Sequence, residues 1–251
     1  MAIASDDILY QDACEVPSLK AARGSECVLC DEVHKAEHRL SASLKLPAST
    51  DFLFTSDGDF LALPDISPIR EGHVLLIPRV HEKSFVALAP TAALDRFVQK
   101  IGDFLETTYQ KDVVVFEHGS GSEGVVGSCC VEHAHLHLLP LGRGFQSIIS
   151  YLEATFPKRT HFMQVSGLGA CNRKDSYMFF GSKAAGYQHF TCEGPVPSQF
   201  MRRIFAQVLD DQTVSDWKLG FSADNRQRAE QRIDDLMTRL EANFGKNNGK
   251  G

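Results

Sequence analysis

The sequence predicts an α+β fold: a five-stranded, mainly antiparallel sheet with one long helix packed on it, followed by a carboxyl-terminal α/β extension. Three patterns predict it. Residues 133–139 alternate strictly, with His133, His135 and His137 on one side and Ala134, Leu136 and Leu138 on the other, as successive side chains of a strand do. Residues 73–78 form an apolar run of strand length, read as a buried strand. Residues 91–109 place Leu94, Phe97, Ile101 and Leu105 at helical spacing, which makes them core positions.

The elements follow in order. Residues 1–24 read as an amino-terminal segment, and residues 1–50 as mostly irregular, with a short helix or coil from His34 to Leu44. Strands are expected at 52–56 and 60–63, joined by the turn Asp57-Gly58-Asp59. The third strand is 73–78. Pro90-Thr91 opens the helix that runs to Tyr109. The fourth strand is 112–117. A Gly- and Ser-rich loop spans 118–130, and its backbone N–H groups suit an anion. The fifth strand is 133–139. We divide the chain into 1–24, a catalytic domain over 25–141, and an extension over 142–251. Within the extension, Gly142–Phe145 is a turn, Ser147–Glu153 a short helix and Tyr177–Gly181 a strand. Val196–Ile204 reads as a helix start with Pro197 in its first turn. Asp224–Phe244 is a helix that buries Ile233, Leu236, Met237, Leu240 and Phe244, and 246–251 is a frayed tail. No internal repeat is evident.

Composition narrows the class. With 251 residues, 43% of them hydrophobic, the chain can bury one or two real cores. A net charge of -6 argues against a basic nucleic-acid surface. No apolar run reaches membrane-spanning length, and Met1–Asp7 lacks the basic start and apolar core of a signal peptide. The 7 cysteines are odd in number, and Cys129 and Cys130 are adjacent. A reducing, cytoplasmic setting is expected.

Three imidazoles on one strand face demand a use, because each buried ring nitrogen needs a partner. An imidazole titrates near pH 6.5, so it serves as nucleophile, proton donor or metal ligand at neutral pH. The run from His133 to Leu139, His-apolar-His-apolar-His-apolar-apolar, resembles the signature of the histidine triad (HIT) superfamily. A second block, Asp65-Ile66-Ser67-Pro68-Ile69-Arg70-Glu71-Gly72-His73 and the strand to Pro78, resembles that family's turn and strand. The resemblance covers residues 25–141 and implies the same α+β, HIT-like sheet. It implies that His135 attacks the α-phosphorus of a nucleotide to give a covalent nucleotidyl-imidazole. It places His137 on a phosphoryl oxygen or the leaving group, His73 beside the triad, and Asp65 on the ribose hydroxyls. Ile66 and Leu29 are apolar enough to sandwich a base, and Glu117, at the end of the fourth strand, is a candidate to bind the substrate. Gly127, Ser128 and Cys129 stand where relatives wrap the α-phosphate. Cys129 replaces the common Gln, which points to an unusual substrate or leaving group. Gln199, Arg202 and Arg203 are candidates to reach the phosphate.

Cys27-Val28-Leu29-Cys30 is a Cys-x-x-Cys pair, redox-active or half of a metal site on its own terms. Zinc-bearing members of the family, and the related galactose-1-phosphate uridylyltransferases, complete such a site with two histidines. On that resemblance Cys27, Cys30, His81 and His133 hold a structural zinc. The expected partners are a nucleotide, with a second copy in a homodimer as a further candidate, and neither nucleic acid nor membrane. The leading function is a nucleotidyl hydrolase acting on a phosphate ester, anhydride or phosphoramidate. Alternatives are a nucleotidyltransferase, a metallohydrolase whose triad holds a catalytic ion, and a non-catalytic nucleotide-binding module.

Overall fold

The computed structural model describes residues 27, 29, 30, 33, 55–88, 91–121 and 133–244. The expected helix or coil at 34–44, the start of the first strand, the loop residues 122–130 and the tail lie outside these. One antiparallel sheet organises the rest. Its strands are β1 (Thr55–Asp57), β2 (Phe60–Pro64), β3 (Val74–Pro78), β4 (Val113–Gly119), β5 (Leu136–Pro140), β6 (Arg159–Phe162), β7 (Tyr177–Ser182) and β8 (Gly186–Thr191). Their spatial order is β1-β2-β3-β5-β4-β7-β8-β6. The five expected strands are present, but the sheet has eight. The extension therefore continues the sheet through β4 and β7, with Phe116 opposite Phe180, rather than packing beside a finished module. Strands β6 and β8 escaped the sequence reading. Nor does β5 reach back to His133: it begins at Leu136, and His133 and His135 precede it.

Alternation along the strands builds two faces. Phe60, Ala62, Val74, Leu76, Val115, Leu136 and Leu138 point to helix α1 (Ala92–Tyr109), meeting Leu94, Phe97, Ile101 and Leu105. Thr91 caps α1 by accepting from the Leu94 N–H at 3.2 Å. On the other face, Val114, Phe116, Leu139, Met178 and Phe180 meet α2 (Phe145–Thr155) and α3 (Phe200–Leu209), through Ile148, Leu152, Phe200, Ile204 and Phe205. That same face carries a further cluster, in which Leu61, Leu63, Leu75 and Ile77 pack with Leu29, Val33 and Ile233. Ile233 belongs to α4 (Ala223–Phe244), whose Leu236 and Leu240 reach the first cluster. Helix α3 starts at Phe200, later than the expected start near Pro197, because Gln199 takes a left-handed conformation with φ 63 that ends the preceding segment. None of the described helices is long and apolar enough to cross a membrane.

The Gly72-His73 pair has a steric basis. Gly72 has φ 78, and a Cβ there would collide with the ring of Tyr109 from α1. Only glycine lets the turn close and deliver His73 to the sheet.

Truncation after residue 144 should leave β4 as an unpaired edge and uncover Val114, Phe116 and Leu139. The expected product is aggregated protein. A soluble monomer that melts cooperatively would show instead that the first half folds alone.

Candidate active site

The site lies where β3, β5 and β4 run side by side. His137 pairs with Leu75 on one side and Phe116 on the other, so it sits in the seam between the two apolar clusters on that face. The Phe116 ring lies flat on the His137 ring, with centroids 4.3 Å apart and planes within 1°. His73 lies 5.1 Å from His137, and His135 5.0 Å from it, centroid to centroid.

Hydrogen bonds fix the tautomers. The Ile69 N–H donates to His73 Nδ1 at 3.2 Å. His73 therefore carries its proton on Nε2 and donates it to His137 Nδ1 at 3.0 Å. His137 in turn holds its proton on Nε2. Burial pushes both rings well below the usual histidine pKa; Arg202 adds to this at His73, and His135 at His137. Both are neutral at pH 7. The atom His135 Nδ1 lies 2.6 Å from the His133 carbonyl oxygen. A carbonyl can only accept, so Nδ1 bears the proton and Nε2 the lone pair. That is the tautomer a nucleophile needs. His118 shares this face, since it stands two residues beyond Phe116 on β4. Burial, with His135 adding to it, drives its pKa down to about 4. Sequence left His118 unassigned; the signal was its parity with Phe116, which needed the register to be read.

His133 turns away from this group. Its Nε2 donates to the Pro78 carbonyl at 2.9 Å, leaving Nδ1 as the coordinating nitrogen. That atom lies 3.5 Å from Cys27 Sγ and 3.4 Å from Cys30 Sγ, and His81 Nδ1 lies 3.2 Å from Cys30 Sγ. All four donor atoms fall within 4.8 Å of one another. A tetrahedral site with bonds of about 2.0–2.3 Å has nitrogen–sulfur edges near 3.5 Å. Cys27, Cys30, His81 and His133 can therefore hold a metal ion, as expected. His133, His135 and His137 form no such group among the described residues. Asp65, His73 and His137 do cluster, but Arg202 lies 2.9 Å from both Asp65 oxygens, and its positive charge opposes a cation there. The geometry thus disfavours a catalytic ion held by the triad.

Two expected contacts, those of Arg202 and Leu29, are corrected by the structure. Asp65 is 4% exposed. Its carboxylate accepts from Arg202 and, at 2.7 Å, from the Ser67 N–H, partners that the sequence did not indicate. Arg202, 6% exposed, spends its donors on Asp65 and on the Ser67 carbonyl at 2.9 Å instead of on a phosphate. Leu29 is buried in its cluster, where no base can stack on it. Ile66 is half-buried at that cluster's margin, and Gln199 is the half-buried N-cap of α3. Gly127, Ser128 and Cys129 lie outside the described residues.

Residues 47–144 match the family model for the HIT domain. An uncharacterised HIT-like protein of Mycobacterium tuberculosis, present in two strains, is 32% identical over 90 residues, which are 35% of this chain and 60% of that protein. The chain thus spans 60% of the length of the curated relatives it matches. Among solved structures, a hypothetical histidine triad nucleotide-binding protein from Sulfolobus tokodaii aligns with 90% of this chain and 100% of its own. It has 13% identity and a TM-score of 0.35. A HIT family hydrolase from Clostridium thermocellum aligns with 47% of this chain and 91% of its own, at 20% identity and a TM-score of 0.30.

Behind the site, Glu117 corrects a third expectation. It alternates with Phe116 and His118, so it points to the α1 face and is 1% exposed. It accepts from the Phe85 N–H at 3.0 Å and from the Tyr177 hydroxyl, and cannot contact a substrate on the triad's face. Burial raises its pKa from 4.5 to about 7, although the bonds from Tyr177 and Phe85 oppose the rise. Folding therefore favours its protonated form. Its contribution to stability is complete below about pH 4.5 and is lost as pH rises through about 7. Glu117→Gln should flatten the fall in the urea midpoint across that window. A variant whose midpoint falls as steeply as the parent's would place the titration elsewhere.

Proposed function

Because residues 47–144 match the family model for the HIT domain, we propose that the chain is a nucleotidyl hydrolase working through a covalent nucleotidyl-histidine at His135. The observation that carries this reading is the tautomer chain. The His133 carbonyl holds the proton of His135 on Nδ1, and His73 holds that of His137 on Nε2. The Nε2 lone pair of His135 attacks the α-phosphorus of a nucleoside phosphate ester, anhydride or phosphoramidate. A phosphorus–nitrogen bond forms, and the bond to the leaving group breaks with its electron pair on that group, which takes a proton from solvent where it leaves as an amine or alcohol. His135 becomes an imidazolium whose Nδ1–H still donates to the His133 carbonyl. Water then attacks phosphorus and loses a proton to solvent, the phosphorus–nitrogen bond breaks so that the nitrogen recovers its lone pair, and a nucleoside monophosphate leaves.

His137 is neutral and presents an Nε2–H. It fits a donor to a phosphoryl oxygen, where charge grows in the transition state, better than an acid that gives up its proton. Gly127, Ser128 and Cys129, which lie outside the described residues, remain the sequence's candidates for further anion contacts. Ile66 and Gln199 remain candidates for the nucleoside and leaving-group sides.

The four-donor group suits zinc, and Cys27, Cys30, His81 and His133 would hold it as a structural ion with every position filled by protein. Such an ion would fix the backbone whose carbonyl orients His135.

His135→Ala should abolish nucleoside monophosphate release from a panel of phosphoramidates, dinucleoside polyphosphates and nucleotide sugars, while zinc content stays unchanged. Acid quenching of the wild type with labelled substrate should trap an acid-labile nucleotide on His135. Full turnover in His135→Ala would sink the mechanism, and faster transfer to a sugar phosphate than to water would make the enzyme a transferase.

Cys27→Ser should remove the metal, read by elemental analysis, and lower the melting temperature, whereas His137→Ala should keep it. Loss of metal in His137→Ala but not in Cys27→Ser would restore the metallohydrolase reading.

A further inference from the structure

The sequence supplies an acid at the start of the motif turn, and the extension supplies the cation that occupies it. Asp65 Oδ2 lies 3.7 Å from His73 Nδ1 and 3.8 Å from His137 Nδ1. A bare carboxylate in that place would draw a proton onto one of the two rings. It would compete with the Ile69 N–H for His73 Nδ1, and with the His73 Nε2–H for His137 Nδ1. Either outcome breaks the chain that leaves a single proton on His137 Nε2. Arg202, on α3, stands 2.9 Å from both carboxylate oxygens and is anchored by the Ser67 carbonyl. Its own side chain is 8% exposed and that of Asp65 5%, so solvent screens the pair little.

We propose that Arg202 is a positioning residue for the triad: by holding Asp65 as a fixed counter-ion, it keeps the His73–His137 pair neutral and in one tautomer. The functional side of this rests on the hydrolase reading, in which His137 donates through Nε2, but the electrostatic side does not.

The groups facing the pair come from several elements. Asp65 and His73 belong to the turn, His135 to the same segment as His137, Arg202 to α3 and Arg232 to α4; Arg202 and Arg232 both act on His73. From β4 come the uncharged ring of Phe116 and, on the same face, His118, whose pKa burial drives down to about 4. Removing Arg202 therefore leaves Asp65 as the dominant unbalanced charge. Removing Asp65 leaves the two arginines.

The test is nitrogen-15 NMR of the histidine rings in the full chain, titrated without substrate. Arg202→Gln should raise the protonation midpoint of the His73–His137 pair by about one pH unit or more, the usual effect of an opposite charge within ~4–6 Å. Asp65→Asn should move it the other way. The double variant should return near the parent value, and Arg202→Lys should match the parent. Overturning results are an unchanged midpoint and tautomer in Arg202→Gln, or a rise in all the variants alike, as loosened packing and entering water would give. Should Arg202→Gln fail to fold, Asp65→Asn and Arg202→Lys still decide. A rise in Asp65→Asn, or a shift in Arg202→Lys as large as one unit, refutes the proposal. Because these signals need no turnover, failure of the hydrolase reading shows only in the nucleotide panel and stays distinguishable.

Discussion

His133 is the residue on which the site turns. Its Nε2–H is held by the Pro78 carbonyl at the end of β3. Its Nδ1 is aimed at the two sulfurs of the Cys pair. Its own carbonyl accepts the proton that would otherwise blur the tautomer of His135. An imidazole has two nitrogens, and committing one defines the chemistry of the other. One peptide unit thus links the third strand, the amino-terminal Cys pair and His135. It also explains why the first histidine lies outside β5: a regular strand would hold its side chain on the face of His135, whereas the bend at 133 lets it swing to the sulfurs.

The second constraint is the seam in which His137 lies. With Leu75 on one flank and Phe116 on the other, both buried, the ring sits where unpaired polar atoms are costly. The solution is a chain with a defined direction, from the Ile69 N–H through His73 to His137. Such chains are worth having only when every link is made. Here the last link is the His137 Nε2–H, the free end that the proposed function assigns to a phosphoryl oxygen. Phe116, stacked flat on the ring, fixes the plane in which that proton is offered. Preorganisation of this kind requires no rearrangement at the moment of reaction.

Much of this was legible in the sequence, and the limits have physical causes. Helix α1 was read almost to the residue, because its periodicity, its Thr91 cap and its core positions all agree. The third strand was read because a short apolar run admits little else. The grouping of the Cys pair with His81 and His133 came from family resemblance, not from spacing, since the ligands are scattered along the chain. Glu117 was misplaced because parity along β4 has meaning only once a neighbouring strand supplies the register. One step along the strand separates a buried carboxylate on the α1 face from His118 on the triad's face. Arg202 was misjudged because an arginine on a helix ordinarily faces water or a phosphate, and only tertiary structure shows the carboxylate beneath it. Strands β6 and β8 were missed because their pairing partners lie in each other and in β7, and no local turn signal separates them cleanly from loop.

The extension follows from what the motif turn lacks. Residues 65–72 make a tight loop whose carbonyls at Ser67, Pro68 and Ile69 need partners once buried. Arg202 takes the first, and Arg232, from α4, takes the other two at 2.9 and 3.1 Å while also pairing with Glu71. Gly220, between those helices, lies so close to Ser67 that a Cβ there would strike its side chain. Three separate stretches of residues 142–251 therefore close on one turn of the segment that matches the HIT domain model. The same stretches place Phe200, Ile204 and Phe205 over the sheet face that carries the triad. A turn left without these donors would expose its carbonyls and free Asp65, and the face beneath would be wet. The site is thus a joint product of both halves of the chain, and the sheet that runs unbroken from β1 to β6 is its mechanical expression.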